Sequence, residues 1–240
     1  MLSRENLKKF TKLQQTSAQN VLREYYQHLF LSYLFQNSGS EKLLFKGETA
    51  LRIILKSPRF SEDLDFTGAG ITHKEIEELF ANTLANIEKT GMTVAIVEAK
   101  QTTGGYLGIA SFEAYGMKIN VQIEVSLRSG KNIKKTRTLI ASDYIPAYTL
   151  VQLSLDDIIL GKLEALWARR KPRDFYDYFF LLSGNYPAVR TKENLKKALK
   201  LLREHKINFQ TELKKFLPAS HAMHLRDFKK VLEQKILTYL

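Results

Sequence analysis

The chain has 240 residues, 44% hydrophobic and 26% charged, with a net charge of +12, which is the make-up of one large or two small globular domains with a real core. It has no cysteine, which excludes disulfides, thiolate chemistry and Cys-based zinc sites. The start, MLSRENLKKF, lacks the apolar stretch of a signal peptide and no run is long enough to span a bilayer, so the expected address is the cytoplasm, without a membrane partner. The positive surplus favours a polyanionic partner, nucleic acid or an acidic protein, or else serves solubility alone.

In chain order, residues 4–36 are helical in pattern. Ser17 can cap a helix to about Phe35, with Val21, Leu22, Tyr25, Tyr26, Leu29 and Tyr33 on its apolar side, packed against a sheet. The Asn-Ser-Gly-Ser cluster at 37–40 ends it. Residues 43–66, LLFKGETALRIILKSPRFSEDLDF, are the stretch around which the rest is organised. The run 43–45 reads as a short buried strand, Gly47 as a turn, and 49–55 as a helix by its apolar spacing. A second strand-like run covers 60–66. There Asp63 and Asp65 alternate with Leu64 and Phe66, which points both carboxylates to one face.

Two acids side by side on a strand repel each other, and a divalent cation removes that penalty. Mg²⁺ prefers oxygen ligands, keeps several waters, and is usually held by one or two carboxylates plus substrate phosphates. The glycine turn upstream opens a helix whose free N–H groups suit an anion. One stretch therefore offers a phosphate cradle and a metal clasp. The plainer alternative is an exposed strand with two solvated aspartates.

Residues 68–72 read as a turn and 73–90 as a helix with Ile76, Leu79, Phe80, Leu84 and Ile87 on one side. Three strands follow at 92–99, 106–115 and 118–127, joined by turns short enough for antiparallel neighbours. In the last of them Glu124 stands on the polar face, either as a third acid for metal binding or hydroxyl activation, or as a solvent-facing glutamate. Residues 129–147 are polar and basic and read as irregular, ending at Pro146. They mark the expected boundary between a sheet domain at 1–146 and a helical domain at 147–240.

Ser154 and Asp157 form a capping-box pattern that starts a helix to about Arg170. Lys162 falls inside its apolar arc, where a lysine either reaches over the core edge towards a phosphate or extends to solvent. In the following helix Asp174 and Asp177 share a face, and Arg173 with Asp174 fits an ordinary cap and surface pair. The tail, 187–240, reads as two or three helices split by Asn208 and Pro218. It carries thirteen Lys or Arg against five Asp or Glu. Lys196, Lys197 and Lys200 form a basic helix face, a solvated surface or a docking face for RNA or a protein partner. His221 and His224 are three apart but lack a third metal ligand.

The strings FKGETALRI and RFSEDLDF, with ARRKPRDFYDYFFLL downstream, resemble the AbiEii nucleotidyltransferase toxins of abortive-infection and type IV toxin–antitoxin systems, within the DNA polymerase beta-like superfamily. The resemblance covers about 43–182 and implies an α/β (α+β) fold, a mixed sheet flanked by helices with a mainly helical C-terminal region that completes the active site. It implies a Mg²⁺-dependent enzyme that moves a nucleoside monophosphate from a nucleoside triphosphate to a hydroxyl, the end of an RNA such as tRNA, under restraint by an antitoxin. It assigns metal binding to Asp63, Asp65 and Glu124, nucleotide binding to Gly47, Glu48, Thr49 and Arg52, and catalysis also to Lys162 and to Asp174 or Asp177. The family usually has two small residues at the turn; Glu48 departs from this, and its carboxylate either repels a triphosphate or points away. Two other readings stand beside this one: transfer to a small molecule or protein, and a non-catalytic module that binds nucleic acid or a partner.

Overall fold

The computed structural model describes residues 1–128 and 133–240. The chain divides into two compact units, one formed by Met1–Lys56 and Phe60–Ser154, the other by Ser57–Arg59 and Leu155–Leu240.

The first unit begins with helices α1 (Arg4–Leu13) and α2 (Ala18–Leu34), followed by strand β1 (Leu43–Lys46) and helix α3 (Gly47–Ile53). Strand β2 (Asp63–Ala69) and helix α4 (His73–Glu88) come next. Five strands complete the unit: β3 (Val94–Thr102), β4 (Gly105–Ala114), β5 (Met117–Arg128), β6 (Lys135–Ile140) and β7 (Tyr148–Leu153). The strands form one mixed sheet in the order β3-β4-β5-β2-β1-β7-β6, which puts β2 at its centre. Strand β2 runs parallel to β5 and antiparallel to β1. The sequence expectation of a mixed α/β sheet flanked by helices holds.

One face of this sheet is the core. Ser17 and Thr72 start α2 and α4 by accepting from the backbone N–H groups of Asn20 and Glu75, and Glu75 completes a capping box. Both helices then pack on the sheet face that carries Leu64, Phe66, Phe112, Val121 and Ile123, all buried. Tyr26 of α2 stacks on Phe112 of β4 with ring centroids 4.3 Å apart, and Phe80 of α4 meets Phe30 of α2 at 6.1 Å. Burying each such aromatic ring stabilises the unit by roughly 1.5–3 kcal/mol.

Three sequence expectations need correction. Strand β2 begins at Asp63, not at Phe60, because the carbonyls of Ser61 and Glu62 are taken by the Gln27 side chain, 3.1 Å from each, rather than by a neighbouring strand. The run read as irregular up to Pro146 contains β6, an edge strand paired only with β7. Its sequence KTRTLI is mostly exposed, so no apolar alternation marks it. Residues 129–132 of that run lie outside the described residues. Finally, α2 is not one-sided. It is buried nearly all round, and its buried set includes Arg23, Glu24, Gln27 and His28.

The second unit is helical: α5 (Leu155–Arg169), α6 (Pro172–Ser183), α7 (Lys192–Glu204), α8 (Phe209–Leu213), α9 (Ala219–Ala222) and α10 (Phe228–Tyr239). Asn208 caps α8 through its side chain and Pro218 precedes α9, so the chain breaks at the two expected places, but the tail holds four α-helices among the described residues rather than two or three. The pieces between them are too short to show a helical period. The core is aromatic, with Phe209 at 6.1 Å from Phe175 and 4.8 Å from Phe228, and Tyr176 stacked on Phe228 at 5.6 Å. Among the described residues no helix is long and apolar enough to cross a membrane.

Candidate active site

The sheet face opposite the α2–α4 core carries the carboxylates. Period-two alternation buries Leu64 and Phe66 and leaves Asp63 and Asp65 half-buried on the other face of β2. The parallel register with β5 sets Asp65 directly beside Glu124, and Asp63 beside Gln122. Glu124 is exposed and accepts a hydrogen bond from Gln122 Nε2 at 2.5 Å. Burial, followed by the negative charges of Asp65, Glu124, Glu62 and Glu48, pushes the Asp63 pKa up to about 6. Glu48, the residue that departs from the family pattern, thus adds to the negative field at Asp63.

Gly47 is required at the junction of β1 and α3. Its φ is +85°, and a Cβ there would lie 2.6 Å from Asp65 Cγ and overlap the carboxylate. Lys46 pairs with Asp65 across the β1–β2 ladder, which fixes this approach. Gly47→Ala is therefore expected to displace the Asp65 carboxylate and to lower activity by about a hundredfold, a misplacement of ~1 Å at the reacting groups being enough for that. A rate assay beside circular dichroism checks it; full activity in a folded variant contradicts it.

Thr49 is fully buried and donates its hydroxyl to Asp63 O at 2.5 Å, so its side chain ties α3 to the start of β2. Arg52 lies on α3 with its guanidinium held by Glu24, at 2.6 Å from Nε and 3.1 Å from Nη2, and stacked over Phe60 at 3.9 Å. Glu24 also accepts from Tyr144 at 2.8 Å. His28 lies 2.9 Å from the Tyr148 hydroxyl, and burial pushes its pKa down to about 4, which keeps the ring neutral.

Among the described residues no three His, Asp or Glu side chains converge as a ready-made metal cage. The donor set of Asp63 and Asp65, with Glu124 on the adjoining strand, fits a hard cation that draws its other ligands from water and phosphate oxygens, as Mg²⁺ does. The raised pKa of Asp63 supports the same fit, because a bound cation offsets the repulsion that raises it. This has a consequence for stability. The carboxyl titrates at 3.8 when unfolded and near 6 when folded, so the native state holds the extra proton between those values. Stability attributable to Asp63 falls as pH rises through that window, and the full cost is present above it. Asp63→Asn should therefore stabilise the metal-free protein at pH 8 by about 1 kcal/mol once solvent screening is allowed for, roughly 2–4 °C in Tm, and not at pH 4. Thermal melts in chelator at the two pH values test this; an equal gain at both contradicts it.

In the second unit the sequence candidates form two buried groups. Asp177, 1% exposed, is bidentate to Arg59 at 2.8 and 2.9 Å and also accepts from Lys162 Nζ at 2.9 Å. Lys162 is itself buried on α5, which excludes the alternative of a side chain extended to solvent; its ammonium is paired with Asp177 inside the unit. Asp174 caps α6, accepting from the Lys171 backbone N–H at 3.0 Å and from Arg169 at 2.5 Å. Arg59 and Gln27 were not singled out from sequence. Arg59 left a faint trace as one cation in the run SPRF, whereas Gln27 left none. On α7, Lys196, Lys197 and Lys200 are exposed as expected of a basic face. His221 has Tyr176 as its neighbour at 3.2 Å.

Comparison with known proteins adds to this geometry. A crystal structure from H. pylori, titled as that of a nucleotidyltransferase, superposes with a TM-score of 0.57 at 17% identity, covering 93% of this chain and 99% of that one. JHP933 from Helicobacter pylori superposes with a TM-score of 0.56 at 18% identity, covering 93% and 95%. At such identities the likeness is one of fold. No curated protein sequence matches the chain significantly. The family model for the nucleotidyl transferase AbiEii toxin of type IV toxin–antitoxin systems matches residues 29–237. With that match spanning most of its length, the chain belongs to the AbiEii family and is a nucleotidyltransferase.

Proposed function

We propose that this AbiEii-family protein is a Mg²⁺-dependent toxin that transfers a nucleoside monophosphate from a nucleoside triphosphate to the terminal hydroxyl of an RNA, tRNA being the preferred class, and that a cognate antitoxin restrains it. The observation that carries the reading is the placement of Asp63 and Asp65 on one face of β2 with Glu124 beside Asp65 and Gly47 against its carboxylate. Mg²⁺ held by Asp63 and Asp65 would neutralise the triphosphate and support the leaving pyrophosphate. Glu124, exposed on the same face, is the group to take the proton from the acceptor hydroxyl. The acceptor oxygen then bonds to the α-phosphorus as the bond to the bridging oxygen breaks, and pyrophosphate leaves. Positioning and charge neutralisation carry such a transfer without a covalent protein intermediate. The sequence resemblance adds Lys162 as a cation for phosphate charge, with Asp177 holding it. The net charge of +12 suits a polyanionic acceptor.

Incubation with each labelled triphosphate, Mg²⁺ and total cellular RNA tests the proposal, with parallel protein and small-molecule fractions. Label in RNA that is lost in EDTA supports it. Label only in a protein or small-molecule fraction overturns the acceptor, and no Mg²⁺-dependent label anywhere overturns the activity.

A further inference from the structure

Beyond Asn20 near its start, α2 buries four further polar side chains within the first unit, Arg23, Glu24, Gln27 and His28. Buried polar groups persist where they have partners, and three of these four find theirs in the stretch that carries the carboxylates. Gln27, 2% exposed, donates from one amide nitrogen to Ser61 O and Glu62 O, each 3.1 Å away. Arg23 reaches the Glu62 carboxylate at 3.3 Å, and Glu24 holds Arg52 of α3. From α3 the Thr49 hydroxyl donates to Asp63 O. Three successive carbonyls, those of residues 61–63, are thus held by side chains where the β2 ladder with β5 starts. Completing the sheet does not require this, since the ladder begins only at Asp63.

We propose that Gln27 is a positioning residue for the metal-binding carboxylates, acting through the two peptide groups that lead into Asp63. Like-charged side chains at the frayed start of a strand swing apart when nothing opposes them. A carboxamide bonded to both preceding carbonyls fixes those peptide planes, and with them the direction in which the Asp63 side chain leaves the backbone. The cation then meets a preorganised pair. The family match begins at residue 29, so this anchor is supplied from just outside the matched region. The inference rests on the reading of Asp63 and Asp65 as metal ligands.

The test is Mn²⁺ binding to the full chain, by electron paramagnetic resonance or calorimetry, for the wild type, Gln27→Met, Gln27→Asn and Asp65→Asn, each shown folded by its melting curve. Gln27→Met keeps the length of the side chain and removes both donors. It should weaken Mn²⁺ binding by about tenfold or more, the usual cost of losing an outer partner of a metal ligand. Gln27→Asn withdraws the amide by one methylene and should weaken binding by about threefold, which keeps the idea testable if Gln27→Met does not fold. Wild-type affinity in the folded Gln27 variants overturns the inference, even with a lowered Tm, because Gln27 is then a packing residue only. A separate result fails the metal reading itself and takes the inference with it: no Mn²⁺ binding by the wild type, or binding that Asp65→Asn leaves unchanged.

Discussion

Asp65→Ala lowers nucleotidyl transfer by about a hundred- to a thousandfold, the usual cost of removing a preorganised charge from a reacting site. The carboxylate lies against Gly47 on one side and beside the β5 strand on the other, a placement that no other carboxylate of the site shares. Without it the triphosphate is poorly neutralised and the leaving pyrophosphate unsupported. The fold is expected to survive, because Asp65 is one of the charges that raise the Asp63 pKa, and its removal relieves repulsion. Tm should therefore be unchanged or higher by a few degrees. Transfer rate measured beside thermal stability is the check; wild-type rate, or a loss explained by unfolding, removes Asp65 from the site.

Asp177→Ala should have the opposite character, a large loss of stability. Its carboxylate is the shared partner of Arg59 and Lys162, and all three are nearly excluded from solvent. Removing it leaves two cations buried together, and breaking a buried pair by deleting one partner costs about 3–5 kcal/mol. For a chain of this size that is roughly 6–20 °C in Tm. Asp177→Asn keeps the shape and two acceptor positions on its amide oxygen, so it should fall between the two. Urea denaturation measures this. A loss below about 1 kcal/mol for Asp177→Ala would mean that solvent reaches the cluster and would contradict its role as the electrostatic anchor of the second unit.

Local pattern carried much of this into the sequence. The alternation of Asp63 and Asp65 with Leu64 and Phe66 has a period of two and needs no partner strand to be read, and Gly47 announces its turn by itself. Helical counting likewise placed Lys162 inside an apolar arc, where it is buried. What that lysine does there was not legible, because its partner Asp177 lies on another helix and Arg59 is 118 residues from Asp177 in sequence. Asp174 and Asp177 share a helix face, yet one caps the helix while the other joins two buried cations. Glu124 was legible as a candidate third acid on the polar face of its strand, but what it stands next to was not; the parallel β2–β5 register sets it beside Asp65. Strand β6 escaped because an exposed edge needs no apolar alternation, and the polar side of α2 because a helix buried all round shows no contrast between faces.

The central claim is that the carboxylates of β2 hold the cation that binds the triphosphate. Calorimetric titration of a non-hydrolysable nucleoside triphosphate into the wild type and into Asp63→Asn/Asp65→Asn, with Mg²⁺ and with EDTA, tests it most directly. The expected result is binding by the wild type that requires Mg²⁺ and weakens by at least about tenfold in the double variant. Equal affinity of the two proteins in Mg²⁺, or wild-type binding that EDTA leaves intact, would contradict it.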